Sequence, residues 1–149
     1  MIDKIITDQT ILRQLSTPTT KAEVKSLKLI KRLRKSNRTA WTKGCGLAAI
    51  QINIPIRFAW FTLNGKDEIL LNPEIIESHG SRVYRNEGCL SIPNSYVNTE
   101  RFYQITYVSG GRKQTAINFK AILIQHEIDH MNGILNIDRK MSQQTSRRK

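Results

Sequence analysis

With 149 residues, 39% hydrophobic and 24% charged, the chain has the size and composition of one globular domain. That excludes collagen-like, mucin-like and wholly disordered architectures, and a chain of this length needs no disulfide or metal merely to fold. The formal net charge is +12, with 24 Lys/Arg against 12 Asp/Glu, and residues 1–43 alone hold 11 basic against 3 acidic side chains; such an excess suits either a polyanionic partner such as RNA or a solubilising surface.

Residues 1–17 carry short apolar runs without a period. From Thr19 to Ser36 the chain reads as one helix, with Val24, Leu27, Ile30 and Leu33 as the apolar positions and a lysine-rich opposite face. Gly44-Cys45-Gly46 opens a loop. Arg57 to Leu63 reads as a strand, Asn64-Gly65 as a hairpin turn and Glu68 to Leu71 as the returning strand. Ile75-Ile76 and Ser81 to Tyr84 suggest two strand segments around Ser78-His79-Gly80. Tyr96 to Thr99 and Phe102 to Ser109 look extended, and Gly110-Gly111 turns the chain into Lys113 to Ile117. Phe119 to Asn132 reads as a helix closed by Gly133. A helix, many short strands and a last helix make an α+β fold rather than an alternating one.

No uncharged apolar run approaches the ~18 residues of a membrane span, so no membrane partner is expected. The start, Met1-Ile2-Asp3-Lys4, lacks the layout of a secretory signal, which points to the cytoplasm. Two cysteines, Cys45 and Cys89, are few for a disulfide scaffold and suit buried thiols, metal ligands or nucleophiles in a reducing compartment.

The strongest chemical signal is His126-Glu127-Ile128-Asp129-His130. On a helix, positions i and i+4 share a face, so both imidazoles reach one metal while Glu127 holds its water. The plainer reading is two surface histidines on an amphipathic helix. His79, in a loop-like stretch, reads as solvated. A catalytic site needs a third protein ligand and an open position. Beyond His130 there is no His and no Glu, only Asp138, so the third ligand comes from upstream. Cys89, a soft thiolate in Glu87-Gly88-Cys89-Leu90-Ser91, is the best candidate, with a small buried core residue as the alternative. In Gly44-Cys45-Gly46-Leu47-Ala48-Ala49-Ile50-Gln51, Gly46 allows close backbone approach and Gln51 offers an uncharged amide donor for an oxyanion. Two further readings stay open on these residues: a small zinc protease, and a basic RNA-binding protein whose metal is structural.

Taken together in this order, G-C-G-L-A-A-I-Q (44–51), E-G-C-L-S (87–91) and Q-H-E-I-D-H (125–130) closely resemble the three signature motifs of peptide deformylase. The resemblance covers residues 1–138 and implies a compact single α+β domain, with an N-terminal helix and small mixed or antiparallel sheets around the central H-E-x-x-H helix. It implies hydrolysis of the formyl group from the N-terminal formyl-methionine of newly made polypeptides. Cys89, His126 and His130 would be the ligands of one divalent metal, Fe(II) natively, with Zn(II), Ni(II) or Co(II) as replacements. Glu127 would be the general acid/base assisting attack by water, and Gln51 with the Leu90 N–H the oxyanion donors. Gly44, Gly46, Glu87 and Gly88 would border the groove for the substrate chain, and Cys45, Phe119, Ile122 and Leu123 the methionine pocket. The implied partners are formyl-methionyl peptides and a ribosome reached through the basic surface, the implied state is a monomer, and the compartment is the cytoplasm of a cell, an infected host or an organelle.

Departures from the family pattern are also expected to matter. Met131 replaces a leucine after the second histidine. Arg85 stands where many members put an apolar pocket residue. The chain stops about one helix early, leaving residues 139–149 as a basic, flexible tail, so the basic helix or the tail would have to serve ribosome contact.

Overall fold

A computed structural model describes residues 2–141. A short helix, α1 (Gln9–Leu12), starts where the Asp8 carboxylate accepts a hydrogen bond from the Thr10 amide. It was not foreseen, because four residues show no period. Helix α2 (Lys21–Ser26) is capped by Thr20, whose hydroxyl accepts from the Glu23 amide. The single helix expected over 19–36 is instead two: Lys28 takes a left-handed conformation (φ 53°), and α3 (Leu29–Arg38) begins after it. The break turns the buried stripe of α3 onto Leu29 and Leu33, so Ile30, expected inward, is 37% exposed.

Strands β1 (Gly46–Ala48), β2 (Phe58–Leu63) and β3 (Lys66–Leu71) form one antiparallel sheet, with β2 in the middle. Asn64-Gly65 makes the hairpin turn as expected, both residues at positive φ. Successive side chains of β2 point to opposite faces. Phe58 and Trp60 pack with Val24, Leu29 and Leu33, whereas Ala59 and Phe61 pack with the last long helix.

Strands β4 (Glu74–Cys89), β5 (Ile92–Ser109) and β6 (Arg112–Ile117) form the second antiparallel sheet. The breaks expected within β4 and β5 do not occur. Pairing runs from Glu74↔Val108 to Cys89↔Ile92, passing Gly80 at φ 72° and irregularities at Ile75/Glu77, Tyr84/Glu87 and Gly88/Cys89. Long-range pairing overrides the turn signals of Ser78-His79-Gly80.

At the end of β6 the chain turns directly into helix α4 (Asn118–Met131), with Asn118 at φ 55°. Ala48 and Phe61 from the first sheet, Ile105 and Ala116 from the second, and Ala121, Ile124 and Ile128 of α4 belong to one buried cluster. The expected arrangement, an α+β domain with small sheets around the H-E-x-x-H helix, is what the chain adopts. Gly133 follows α4 at φ 72°, where a Cβ would come 2.5 Å from the Arg13 carbonyl oxygen. After a short 3₁₀ turn (Asn136–Arg139), Lys140 bridges to Thr99 and the Met141 amide donates to the Asn98 carbonyl. The rest of the expected tail, 142–149, lies outside the described residues. Among the described residues, no helix is long and apolar enough to cross a membrane.

Candidate metal centre

Helix α4 is buried on nearly every side, so its polar residues must find partners inside the protein. His126 and His130, one turn apart, bring their rings to 4.9 Å between centroids at 71°. Cys89 ends β4, and its Sγ lies 3.4 Å from His130 Nε2. The three ligand atoms lie within 4.8 Å of one another. A tetrahedral ion bound to sulfur at ~2.3 Å and nitrogen at ~2.1 Å spaces its ligands at roughly 3.5 Å, so only small side-chain shifts are needed to close on one.

The surroundings prepare these donors. His126 Nδ1 donates to Glu87 Oε2 at 2.7 Å, which fixes the ring and leaves Nε2 as the nitrogen a metal would take. Glu87 also accepts from Thr99 Oγ1 (2.7 Å) and from Arg101 Nε (2.9 Å) and Nη2 (2.7 Å). Burial alone would raise the Glu87 pKa; the hydrogen bonds of His126 and Arg101 overcome it and hold the carboxyl well below the usual range. Arg101 is 2% exposed, and its Nη1 donates to Asp129 at 2.6 Å. Asp129 in turn accepts from the guanidinium of Arg139. Charges thus alternate inward from the surface, Arg139, Asp129, Arg101, Glu87, and end on His126. Burial opposes ionisation of the Cys89 thiol, but the charge of His130 and contacts with both imidazoles outweigh it and bring the pKa down to about 5. A soft thiolate beside two imidazoles is a donor set that fits a divalent transition metal.

Gln51 sits in the 3₁₀ turn Ala49–Ile52, with its Oε1 accepting from the Ala48 amide at 2.9 Å. That bond orients the amide so that Nε2 faces the cluster, 3.1 Å from Ser91 Oγ and 3.9 Å from Cys89 Sγ. Glu127 is 2% exposed, and its Oε1 has no hydrogen-bond partner among the described residues. Burial raises the Glu127 pKa against the opposing pull of His126 and His130. A cavity of about 220 Å³ opens onto Gln51, Cys89, His126 and Glu127.

Comparison with known proteins resolves which family builds this site. The family model for polypeptide deformylase matches residues 2–146. A curated peptide deformylase of Rhizobium meliloti is 37% identical over 144 residues, covering 90% of this chain and 82% of that protein. The crystal structure of the Thermotoga maritima peptide deformylase superposes with a TM-score of 0.85 at 32% identity, over 95% of this chain and 99% of that one. The chain belongs to the peptide deformylase family. It is a hydrolase that removes the N-formyl group from newly made polypeptides. A probable peptide deformylase from Synechococcus phage S-SSM7 is also similar, with TM-score 0.79 and 28% identity over 91% of this chain and 97% of that one. The family is metal-dependent, and Cys89, His126 and His130 bring together a donor set that could hold a metal ion.

Every residue singled out from the deformylase motifs except His130 borders the same cavity, and His130 is buried beside it. Ile122 and Leu123 are buried, Phe119 is partly exposed at the rim, and Cys45 is exposed. The glycines are tight for reasons the sequence did not reveal. A Cβ on Gly46 would come 2.7 Å from the Trp60 carbonyl oxygen, one on Gly44 would come 2.6 Å from Leu90 Cδ1, and one on Gly88 would come 2.8 Å from the Tyr96 ring. Backbone atoms therefore demand glycine at Gly46, whereas at Gly44 and Gly88 the side chains of Leu90, Asn37 and Tyr96 would have to shift. The side chain of Glu87 turns inward to His126 and Arg101 rather than into the groove. Arg85 is exposed and does not border the cavity; across the irregularity at Tyr84/Glu87, Tyr84 does, 6.2 Å from Phe119 between ring centroids. His79 is exposed, as expected, beside Glu77. Sequence reasoning missed Arg101 and Asp129. A signal existed for the first: Val97, Thr99 and Arg101 share the buried face of β5, and an arginine in that phase needs internal partners. It also missed Trp41, Tyr84 and Tyr96 at the cavity, for which no pattern pointed inward.

Proposed function

We propose that Cys89, His126 and His130 hold one divalent metal, Fe(II) natively and replaceable by Zn(II), Ni(II) or Co(II), and that residues 1–138 form the catalytic domain for formyl-methionyl peptides. The observation that carries this reading is the convergence of three soft or borderline donors beside a buried glutamate with an unpaired oxygen. When bound, the metal would supply Lewis acidity and lower the pKa of a water to about 7. Glu127 accepts the proton of the attacking water and returns it to the departing amine nitrogen, so that water plus formyl amide gives formate plus a free N-terminus. Its burial-raised pKa suits a group that must both take and give that proton. Gln51 Nε2 and the Leu90 N–H hold the developing formyl oxyanion, a donor of this kind contributing about 3–4 kcal/mol. Gly44, Gly46 and the backbone of Glu87 and Gly88 line the extended substrate chain as an added strand would. Cys45, Phe119, Ile122 and Leu123 receive the methionine side chain.

The enzyme acts as a monomer in the cytoplasm, and its basic surface brings it to ribosomes carrying nascent chains. The net charge of +12 supports that contact. Metal analysis paired with formate release from formyl-Met-Ala-Ser tests the reading. Wild type is expected to carry one metal per chain and release formate; Cys89→Ala is expected to lose both. Rapid inactivation in air, slowed by nickel exchange, marks iron, whereas an air-stable native enzyme marks zinc. Full metal content and full turnover in Cys89→Ala overturn the ligand assignment.

A further inference from the structure

Two large aromatic side chains at the mouth of the cavity stand in water. Trp41 is 44% exposed and Tyr96 55% exposed, and both border the cavity that holds Gln51, Cys89 and Glu127. Neither is loose. Trp41 Nε1 donates to the Leu90 carbonyl at 3.0 Å, tying the indole to the residue that follows Cys89. Tyr96 is the register partner of Gly88, and its ring lies so close that a Cβ on Gly88 would be 2.8 Å from Cε1. The two rings are therefore held against the same short segment, Trp41 at Leu90 and Tyr96 at Gly88. Anchored aromatic side chains expose large apolar area at little entropic cost, which makes them effective recognition surfaces.

The cavity itself, about 220 Å³, is a space for one side chain and the reacting group. An extended peptide rises ~3.3 Å per residue, so the two residues after the methionine lie within ~7 Å of it, at the mouth. The charges there are one-sided. Lys43 is exposed at the rim, while the two carboxylates, Glu87 and Glu127, are buried and face inward. A cationic side chain at the mouth meets Lys43 and finds no exposed carboxylate among the bordering residues.

We infer that Trp41 and Tyr96 form an aromatic bracket that sets the preference of this deformylase beyond the formyl-methionine, favouring large apolar or aromatic residues at the next two positions and disfavouring lysine. The inference rests on the deformylase reading of the cavity. Contact with an aromatic ring that small side chains cannot make corresponds to about tenfold in kcat/KM.

The test compares formyl-Met-Leu-Phe, formyl-Met-Ala-Ser and formyl-Met-Lys-Lys on wild type, Trp41→Phe, Trp41→Ala, Tyr96→Ala and the double alanine variant, each checked for metal content and circular dichroism. Wild type is expected to favour Leu-Phe about tenfold over Ala-Ser, mainly through KM, with Lys-Lys the poorest. Trp41→Phe keeps most of the preference because a ring remains, each alanine variant reduces it, and the double variant brings the ratio near one. A wild-type ratio near one overturns the inference. So does an equal fall in kcat on all three peptides with the ratio intact, which would make Trp41 only a support for Leu90. Binding of the product peptides Met-Leu-Phe and Met-Ala-Ser, read by the fluorescence of Trp41 against buried Trp60, gives the same discrimination without turnover. A failure of the wild type to release formate from any peptide then counts against the deformylase reading, and equal binding of the two products counts against the bracket.

Discussion

Helix α4 and the α2–α3 pair use opposite strategies. In α3, apolar and charged residues are segregated: Leu29 and Leu33 are buried, and Lys31, Arg34 and Arg38 stand in solvent. In α4 they are mixed, with Ile124 and Ile128 packed in the same helix that buries Gln125, Glu127, Asp129 and His130. The first arrangement draws its stability from one apolar stripe and keeps its charges at the surface, where Arg34 pairs with Asp67 and Arg32 with Asp3. The second needs internal partners, and Gln125, His126 and Asp129 find theirs on β4 and β5, with Arg139 adding to Asp129. Charge at α3 is therefore surface chemistry, whereas charge at α4 is part of the core, and substitutions in the two helices should fail in different ways.

The largest effect is expected at the one carboxylate of α4 with an unpaired oxygen. Glu127→Gln should retain metal and fold yet lose on the order of 10²–10⁴-fold in turnover, read as formate release beside metal analysis; wild-type turnover would remove Glu127 from the proton path. Next comes the buried pairing that supports the helix. Arg101→Met strips Glu87 and Asp129 of their shared cation, and breaking a buried pair from one side costs about 3–5 kcal/mol. Urea unfolding should register that loss, and a competitive zinc titration should show metal affinity down roughly 10–100-fold because His126 loses its oriented support. If both values stay at wild-type levels, the alternating charges do not hold His126.

The segregated helix gives the contrast. Leu33→Ala should cost about 2–4 kcal/mol through the cavity it leaves, whereas Lys31→Ala should stay within ~0.5 kcal/mol. Equal effects in urea would erase the distinction between the helices. The smallest effect concerns a surface pair outside both. Asp138 accepts from Arg13 at 2.8 Å, and the guanidinium holds the carboxyl below its ordinary 3.8. A depressed carboxylate contributes stability that is complete above the unfolded pKa and is lost as pH falls through the folded one, so the contribution fades below about pH 4. Both side chains are more than a third exposed, so solvent screening limits it to about 0.2–1 kcal/mol. Asp138→Asn should lower stability by that amount at pH 7 and leave it unchanged at pH 2, as measured by thermal unfolding.

The two helices also differ in how far they could be read beforehand. The ends of α4 and the pairing of His126 with His130 follow from helical spacing and side-chain chemistry, which are local. The break at Lys28 was not readable, because nothing in Ser26-Leu27-Lys28 signals a left-handed residue; the buried stripe at Leu29 and Leu33 rewards it only in the packed protein. The same limit applies to the sheets. Asn64-Gly65 is a local turn and was legible, whereas Gly80 inside β4 looked like a turn and is instead carried through by pairing with β5. At the site, the donors were legible by residue type. Their supports, Thr99 and Arg101 on β5, depend on register across two long strands, and the position of Tyr84 depends on an irregularity that shifts that register.

Arg139 closes the outer end of the charge series while standing 43% in solvent. Anyone trimming this polypeptide for expression or crystallisation should cut beyond Met141. Ending it at Asp138 would delete the outer counter-ion of Asp129 and the strand-like tie to Thr99 together, disturbing the charge series behind His126 from its outer end.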